Sequence, residues 1–79
     1  MRVDLHKLRI CESGDHYKEN TGNGYYGAYQ FAPTTWHALG YKGRPDRAKA
    51  ATQNHAARKE HRVAGWGAWP SCSASQHLR

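Results

Sequence analysis

Long aliphatic residues are scarce in this sequence, and no apolar run approaches the length of a membrane-spanning helix. The 79 residues form one domain at most, and a chain of this size buries only about 60–65% of its unfolded surface. The three tryptophans and five tyrosines must therefore supply much of the core, since each buried aromatic side chain removes about 150–250 Å² from water.

Acidic residues are also few: six, against twelve lysines and arginines, which gives a formal net charge of +6. A basic balance favours anionic partners, either nucleic acid or a bacterial wall that carries anionic polymers and peptide carboxylates. No recognisable nucleic-acid-binding motif accompanies the charge, so we do not expect nucleic acid as the partner.

Cysteine is limited to Cys11 and Cys72. Their wide spacing does not fit a structural zinc motif, and the histidines do not supply one, so we predict neither a metal nor a cofactor. The two cysteines either form one disulfide in an oxidising compartment or remain free thiols of a cytosolic protein. A disulfide closing so long a loop would stabilise this thin-cored domain by roughly 4 kcal/mol.

Helix signals occur in three places. In residues 3–13, Asp4 can cap the start of a helix and Gly14 can end it. Residues 33–40 begin at a proline and end at a glycine. Residues 46–64 contain neither proline nor glycine and predict a long third helix. Residues 25–31 favour an extended segment or a short hairpin arm lining a groove. The fold class is therefore α+β, mainly α, with three helices and a short β or extended arm in residues 1–72, and residues 73–79 are a flexible tail.

The most informative carboxylate is Glu12, which shares one helical face with Leu5 and Leu8. Apolar neighbours should raise its pKa and allow it to act as a proton donor in a carbohydrate-cleaving site. The alternative is an ordinary surface residue in a small binding module. No second carboxylate stands out, and two of the candidates, Asp46 and Glu60, are expected to be solvated; the others are Asp4, Asp15 and Glu19.

Aromatic residues divide between core and groove. We expect Trp36 in the core, because it lies within a helix beside Leu39, together with at least one of three tyrosines: Tyr25, Tyr26 and Tyr29.

Several uncommon strings occur in one order and resemble the catalytic domain of the resuscitation-promoting factors, secreted actinobacterial muralytic proteins with a compact lysozyme-like fold. They are Cys11-Glu12-Ser13-Gly14, residues 20–31, Thr35-Trp36, and residues 65–70 with Cys72. The resemblance covers about residues 5–72. The Glu-Ser start and residues 27–30 are also similar to soluble lytic transglycosylases.

The resemblance implies a peptidoglycan-cleaving enzyme that cuts the β-1,4 bond between MurNAc and GlcNAc, with Glu12 as a single general acid/base. It also implies that Cys11 pairs with Cys72. The residues it places near the substrate are Asn20, Tyr25, Tyr26, Gln30, Thr35 and Trp66.

We expect this enzyme to be a lytic transglycosylase. Two alternatives stay open, a lysozyme-type hydrolase that uses water and a non-catalytic peptidoglycan-binding module. The binding module is motivated by the basic third helix and by Ala64, because the family often carries glutamine immediately before the Gly-Trp-Gly-Ala-Trp string.

The resemblance implies an extracellular protein, secreted or associated with the cell wall, although this chain shows no signal segment. A phage virion component that opens the wall is the alternative. We expect a monomer without a membrane span that acts on a peptidoglycan glycan strand, with or without a peptidoglycan endopeptidase as a partner.

Overall fold

The computed structural model describes residues 5–78. Within this range the chain forms four short α-helices: α1, Leu5–Ser13; α2, Pro33–Ala38; α3, Ala50–Ala64; and α4, Pro70–Ser75. Two 3₁₀ turns, Pro45–Arg47 and Gly65–Ala68, precede α3 and α4. The predicted class, a mainly helical and lysozyme-like domain, is confirmed, with one helix more than expected.

Helix α1 ends where the sequence predicts. Gly14 adopts a φ of +68°, and its N–H donates to the carbonyl of Ile10 at 2.9 Å. Asp15 follows with a φ of +66° and donates its N–H to the carbonyl of Arg9 at 3.1 Å. The start predicted at residues 3–4, including the Asp4 cap, lies outside the described residues.

Helix α3 begins at Ala50, later than the predicted start at Asp46, because Pro45–Arg47 forms a separate 3₁₀ turn. The expectation that Asp46 is solvated was wrong, since only 7% of its surface is exposed. Its carboxylate accepts two hydrogen bonds from the Arg44 guanidinium, at 2.7 and 2.9 Å. This pairing lowers the pKa of Asp46 and offsets the cost of burying a charge.

The predicted flexible tail, residues 73–79, is corrected in its described part. Ser73 to Ser75 belong to α4, which starts at Pro70, and the side chain of Leu78 packs against the core. Proline suits the first turn of a helix, where its missing N–H costs nothing. The ordered structure thus continues past Cys72.

Aromatic side chains form the centre of the core, as the composition predicts. Trp36 and Tyr29 have no exposed surface, which confirms both expectations for the core. The Phe31 ring lies 5.6 Å from the Trp36 ring and 6.1 Å from the Trp69 ring between centroids. These contacts join the segment before α2 to the segment before α4.

Of the two forms predicted for residues 25–31, an extended segment or a short hairpin arm, the structure has a very short hairpin. Tyr26 and Phe31 exchange two backbone hydrogen bonds of 3.0 Å, and they form one of two isolated β-bridges among residues 5–78, the other joining Asn20 to Tyr26. Gly27 and Gln30, both with positive φ, reverse the chain between them. These two conformations limit the paired part of the hairpin to Tyr26 and Phe31.

Gln53 of α3 holds this turn in place from beneath and has no exposed surface. Its side-chain oxygen accepts the Ala28 N–H at 2.9 Å. Its amide group donates to the carbonyls of Tyr17 at 2.9 Å and Ala48 at 3.0 Å. One buried amide thus joins three segments, and its donors and its acceptor are all used.

Across residues 5–78, none of the helices combines the length and the apolar character needed to cross a membrane.

Candidate active site

A disulfide between Cys11 and Cys72 joins the end of α1 to α4, across 61 positions of sequence. The two Cα atoms lie 5.7 Å apart, and Cys72 is buried. The implied pairing is confirmed. Because Glu12 directly follows Cys11, the crosslink also fixes the carboxylate-bearing end of α1 against α4.

A cleft of about 350 Å³ opens beside this junction. Glu12, Asn23, Tyr25 and Gln30 contribute to one part of its lining, and residues 68–72 contribute to the rest. The volume lies at the lower end of the range of small-molecule sites, about 300–1,000 Å³.

Glu12 is part-buried in this cleft, and burial raises the pKa of its carboxyl group. Among residues 5–78, Glu12 is the one carboxylic acid that lines the cleft. Asp15 is close in sequence but accepts a hydrogen bond of 2.6 Å from Nε of Arg9. The site therefore offers one carboxyl group that keeps its proton to higher pH than an exposed glutamate does.

Ser13 attaches the end of α1 to the turn that carries Gln30. Its hydroxyl donates to the Ala28 carbonyl at 2.8 Å and accepts the His16 N–H at 3.1 Å. Gln30 lines the cleft with a φ of +53°, and its side-chain amide donates to the Gly27 carbonyl at 2.8 Å. The side chain of Gln30 is thus held from within its own turn.

Of the residues placed near the substrate by the resemblance, the structure brings Tyr25 and Gln30 together with Glu12. Tyr25 is half exposed and therefore presents free aromatic surface. Asn23 also lines the cleft, although it was not among the predicted residues. Its side-chain oxygen accepts the Tyr25 N–H at 3.0 Å, a local turn contact that the Asn-Gly pair signals in the sequence.

The other four predicted residues do not belong to the lining of this cleft. The Arg44 guanidinium lies over the Tyr26 ring, and its Cζ atom is 4.9 Å from the centroid of that ring. Asn20 caps its own turn by accepting the Gly22 N–H at 3.3 Å. Thr35 lies on α2, and the Trp66 ring packs edge-on against His61, 4.5 Å away.

Arg9, which the sequence did not single out, lies one turn before Glu12 on α1. Its Nη1 atom donates to the Tyr29 hydroxyl at 2.8 Å. The hydroxyls of Tyr29 and Tyr17 both donate to the side-chain oxygen of Asn54. Burial raises the pKa of Tyr29 to about 12, so its hydroxyl keeps the proton that it donates.

The backbone of Tyr29 reaches the cleft as well. Its carbonyl accepts a hydrogen bond of 3.0 Å from the indole N–H of Trp69, which lines the cleft. Tyr29 therefore connects the helix that carries Glu12, the turn that carries Gln30, helix α3 and the cleft wall.

No group of three or more histidine, cysteine, aspartate and glutamate side chains that could hold a metal ion occurs in the part of the chain that the structure describes. The cleft lining itself offers a carboxyl group, amides and aromatic rings.

The fold and the cleft define a compact lysozyme-like helical domain closed by one disulfide. The chain belongs to the transglycosylase-like domain family, whose model matches residues 1–72. It is 42% identical over 84 residues to a resuscitation-promoting factor of Corynebacterium glutamicum, covering 95% of this chain and 40% of that protein.

Two further relatives carry the same name. The resuscitation-promoting factor Rpf of Micrococcus luteus is 45% identical over 67 residues, which are 85% of this chain and 30% of that protein. RpfC of Mycobacterium tuberculosis is 44% identical over 68 residues, 86% of this chain and 49% of that protein. The chain thus spans less than half the length of each of these relatives.

Proposed function

We propose that this domain is a muralytic enzyme that cleaves the β-1,4 bond between MurNAc and GlcNAc in peptidoglycan, with Glu12 as its general acid/base. The observation that carries the proposal is the part-buried Glu12 carboxyl, whose pKa is raised by burial, in a cleft with no other carboxyl group from residues 5–78. Membership of the transglycosylase-like family supports the reaction class.

In the first step the protonated Glu12 donates its proton to the glycosidic oxygen, and the bond from that oxygen to the anomeric carbon breaks. Positive charge then develops at the anomeric carbon. In MurNAc the carbonyl oxygen of the neighbouring N-acetyl group can stabilise that charge. This assistance comes from the substrate, so the protein does not need a second carboxylate as nucleophile.

The arrangement of the remaining acids favours this single-acid route. A pair of catalytic carboxylates would have to lie about 5 Å apart for retention or about 6.5–9.5 Å apart for inversion. Asp15 is bonded to Arg9 and Asp46 to Arg44, and neither lines the cleft. Asp15 and Asp46 are therefore better explained as partners of buried or part-buried ion pairs that stabilise the fold.

In the second step the Glu12 carboxylate removes a proton from the attacking hydroxyl group, which restores the acid. In a lytic transglycosylase this hydroxyl is the 6-hydroxyl of the MurNAc residue itself, and the product is a 1,6-anhydromuramyl end. In a hydrolase it is water, and the product is a reducing end. The family supports the first product.

Tyr25, Gln30 and Asn23 would hold the glycan beside Glu12. The half-exposed ring of Tyr25 can pack on the apolar face of a sugar, while the amides of Gln30 and Asn23 can bond its hydroxyl and N-acetyl groups. Asn20, Tyr26, Thr35 and Trp66 lie outside this cleft's lining, and we propose that they contact the strand further from the cleaved bond.

We also propose that the protein acts outside the cytoplasm. The Cys11–Cys72 disulfide is of the kind that persists in oxidising compartments, and peptidoglycan is found there. The relatives named above are bacterial proteins, and they give no support to the phage alternative.

The test is digestion of insoluble peptidoglycan followed by mass spectrometry of the released fragments. Wild-type protein should release anhydromuramyl ends, whereas Glu12→Gln should lower the rate by about 10²–10⁴-fold, the usual worth of a positioned proton donor. Glu60→Gln, which removes a carboxylate from α3, is the matched control and should remain near wild type. A wild-type protein that binds the wall but releases no fragments would refute the proposal.

A further inference from the structure

Two exposed arginines lie together on the outer side of α3: Arg58 and Arg62. We call them the basic stripe. The neighbouring Lys59 does not belong to it, because its ammonium group donates to the Leu39 carbonyl at 2.7 Å. Arg58 and Arg62 are four residues apart and therefore share one helical face. The core-facing side of the helix carries Gln53, Ala56 and Ala57, which are fully buried, so the stripe points towards solvent.

Carboxylates do not neutralise the basic stripe. Within residues 5–78, neither of its two side chains forms an ion pair. Glu60 belongs to the same helix but is part-buried. Like charges four residues apart on a helix repel each other, so this surface carries a cost that an anionic partner would remove.

The stripe is separate from the cleft, because none of its residues contributes to the cleft lining. With a rise of about 1.5 Å per residue, Arg58 and Arg62 stand about 6 Å apart along the helix axis. Each guanidinium can bind a carboxylate through two parallel hydrogen bonds. This geometry suits carboxylates that repeat along a polymer.

We propose that the basic stripe binds the carboxylates of the peptide stems of peptidoglycan, at a site distinct from the cleft that cuts the glycan. The proposal rests on the function proposed above, which makes peptidoglycan the substrate. Crosslinked peptidoglycan is a network that contacts a small enzyme on more than one side. The stems carry free carboxylates, so the charge of the stripe and that of the substrate are complementary.

The first measurement is binding to insoluble peptidoglycan by co-sedimentation, with Glu12→Gln in every variant so that the polymer stays intact. Arg58→Gln/Arg62→Gln should weaken binding about three- to tenfold at low salt, as expected for two exposed charge pairs. The difference should shrink at high salt, where such pairs are screened.

Lys18→Gln/Lys42→Gln is the matched control, because it removes the same charge from exposed positions elsewhere. It should change binding less than twofold. Equal losses in the two double variants would show that net charge alone acts, and would overturn the proposal. All four substituted side chains are exposed, and circular dichroism checks that each variant is folded.

Chemical treatment of the wall identifies the anion. Amidation of the stem carboxylates should abolish the difference between the stripe variant and its parent. If that difference instead persists after amidation, the proposal is wrong, and its disappearance when hydrofluoric acid removes phosphate polymers would identify the ligand as a phosphodiester polymer of the wall.

The two proposals fail separately. Stripe-dependent binding by a wild-type protein that releases no fragments would refute the catalytic function and leave the docking surface standing. Fragment release by a protein whose binding does not depend on the stripe would refute the docking surface alone.

Discussion

Arg9 and Tyr29 are joined by a hydrogen bond of 2.8 Å between Nη1 and the phenol oxygen, three residues before Glu12 in α1. The same phenol group donates to Asn54 of α3. The Tyr29 carbonyl accepts the indole N–H of Trp69 in the cleft wall. The position of Glu12 relative to the opposite wall therefore depends on a polar contact beneath the cleft.

Tyr29→Phe removes this hydroxyl and little else. The change takes one hydrogen-bond partner from Arg9 and one from Asn54 in a part-buried place, so we expect the free energy of unfolding to fall by about 1–3 kcal/mol. Urea unfolding measures the loss. Tyr41→Phe is the control, because its hydroxyl contacts His55 at an exposed position and its loss should cost under about 1 kcal/mol. Equal effects would contradict the buried role of the Arg9 contact.

Glu12→Gln should stabilise the protein at neutral pH. Burial raises the pKa of Glu12 above its ordinary value of 4.5, so folding penalises the ionised form, and stability is lost as pH rises through the folded-state pKa. Glutamine carries no charge and avoids that loss. Thermal unfolding between pH 3 and pH 8 should show the variant above wild type at pH 8, with the gap closing below pH 4. A constant gap would show that ionisation is not its cause.

Gly27→Ala should be among the most damaging small substitutions. Gly27 has a φ of +82°, and a Cβ atom there would stand 2.6 Å from the side-chain oxygen of Gln53. That oxygen accepts the Ala28 N–H, and the nitrogen of the same amide donates two further hydrogen bonds, so the side chain has little freedom to move. We expect a loss of about 3 kcal/mol, combining backbone strain with a disturbed hydrogen bond.

The control for this substitution is Gly24→Ala. Gly24 has a similar φ of +87°, but a Cβ atom added there would meet no atom of residues 5–78 within 4 Å. The free energy of unfolding of Gly24→Ala should fall by about 1–2 kcal/mol, which is the cost of the strained backbone alone. Chemical denaturation compares the two variants, and an equal loss would mean that Gln53 moves aside.

The Cys11→Ala/Cys72→Ala variant should lose about 4 kcal/mol of stability, because its unfolded chain is no longer restricted by a loop of 61 positions. Its wall-digesting activity should fall as well, since α1 and α4 both line the cleft. Unfolding with and without reductant measures the effect. Reductant should destabilise wild type and leave the variant unchanged; a response of the variant would point to another cause.

Local patterns predicted much of this fold. Gly14 ends α1 because only a residue that tolerates positive φ fits there, and Trp36 is buried because it shares a short helix with Leu39. The partial burial of the Glu12 carboxyl group also followed from helix geometry, because Leu5 and Leu8 lie on the same face of α1 and are buried. Each of these inferences needed only neighbouring residues.

Other features were not predictable in the same way. Asp46 looked like a solvated charge because it was assigned to the start of a long exposed helix, whereas Pro45–Arg47 forms a separate turn, where Arg44 pairs with Asp46. Residues 73–75 looked like a tail because Ser73, Ala74 and Ser75 show no helical pattern of apolar side chains. Asn23 lines the cleft through its own turn, and Arg9 contacts the hydroxyl of Tyr29, 20 positions away. A sequence pattern does not specify which remote groups meet.

The cluster around Tyr29 also constrains how this protein can change over generations. Tyr17, Tyr29, Arg9 and Asn54 satisfy one another, so replacing any one of them strands a polar group among its former neighbours. A lineage that loses one member is expected to lose the others soon afterwards and fill the space with aliphatic side chains. Homologues should therefore carry this set as a block or lack it entirely.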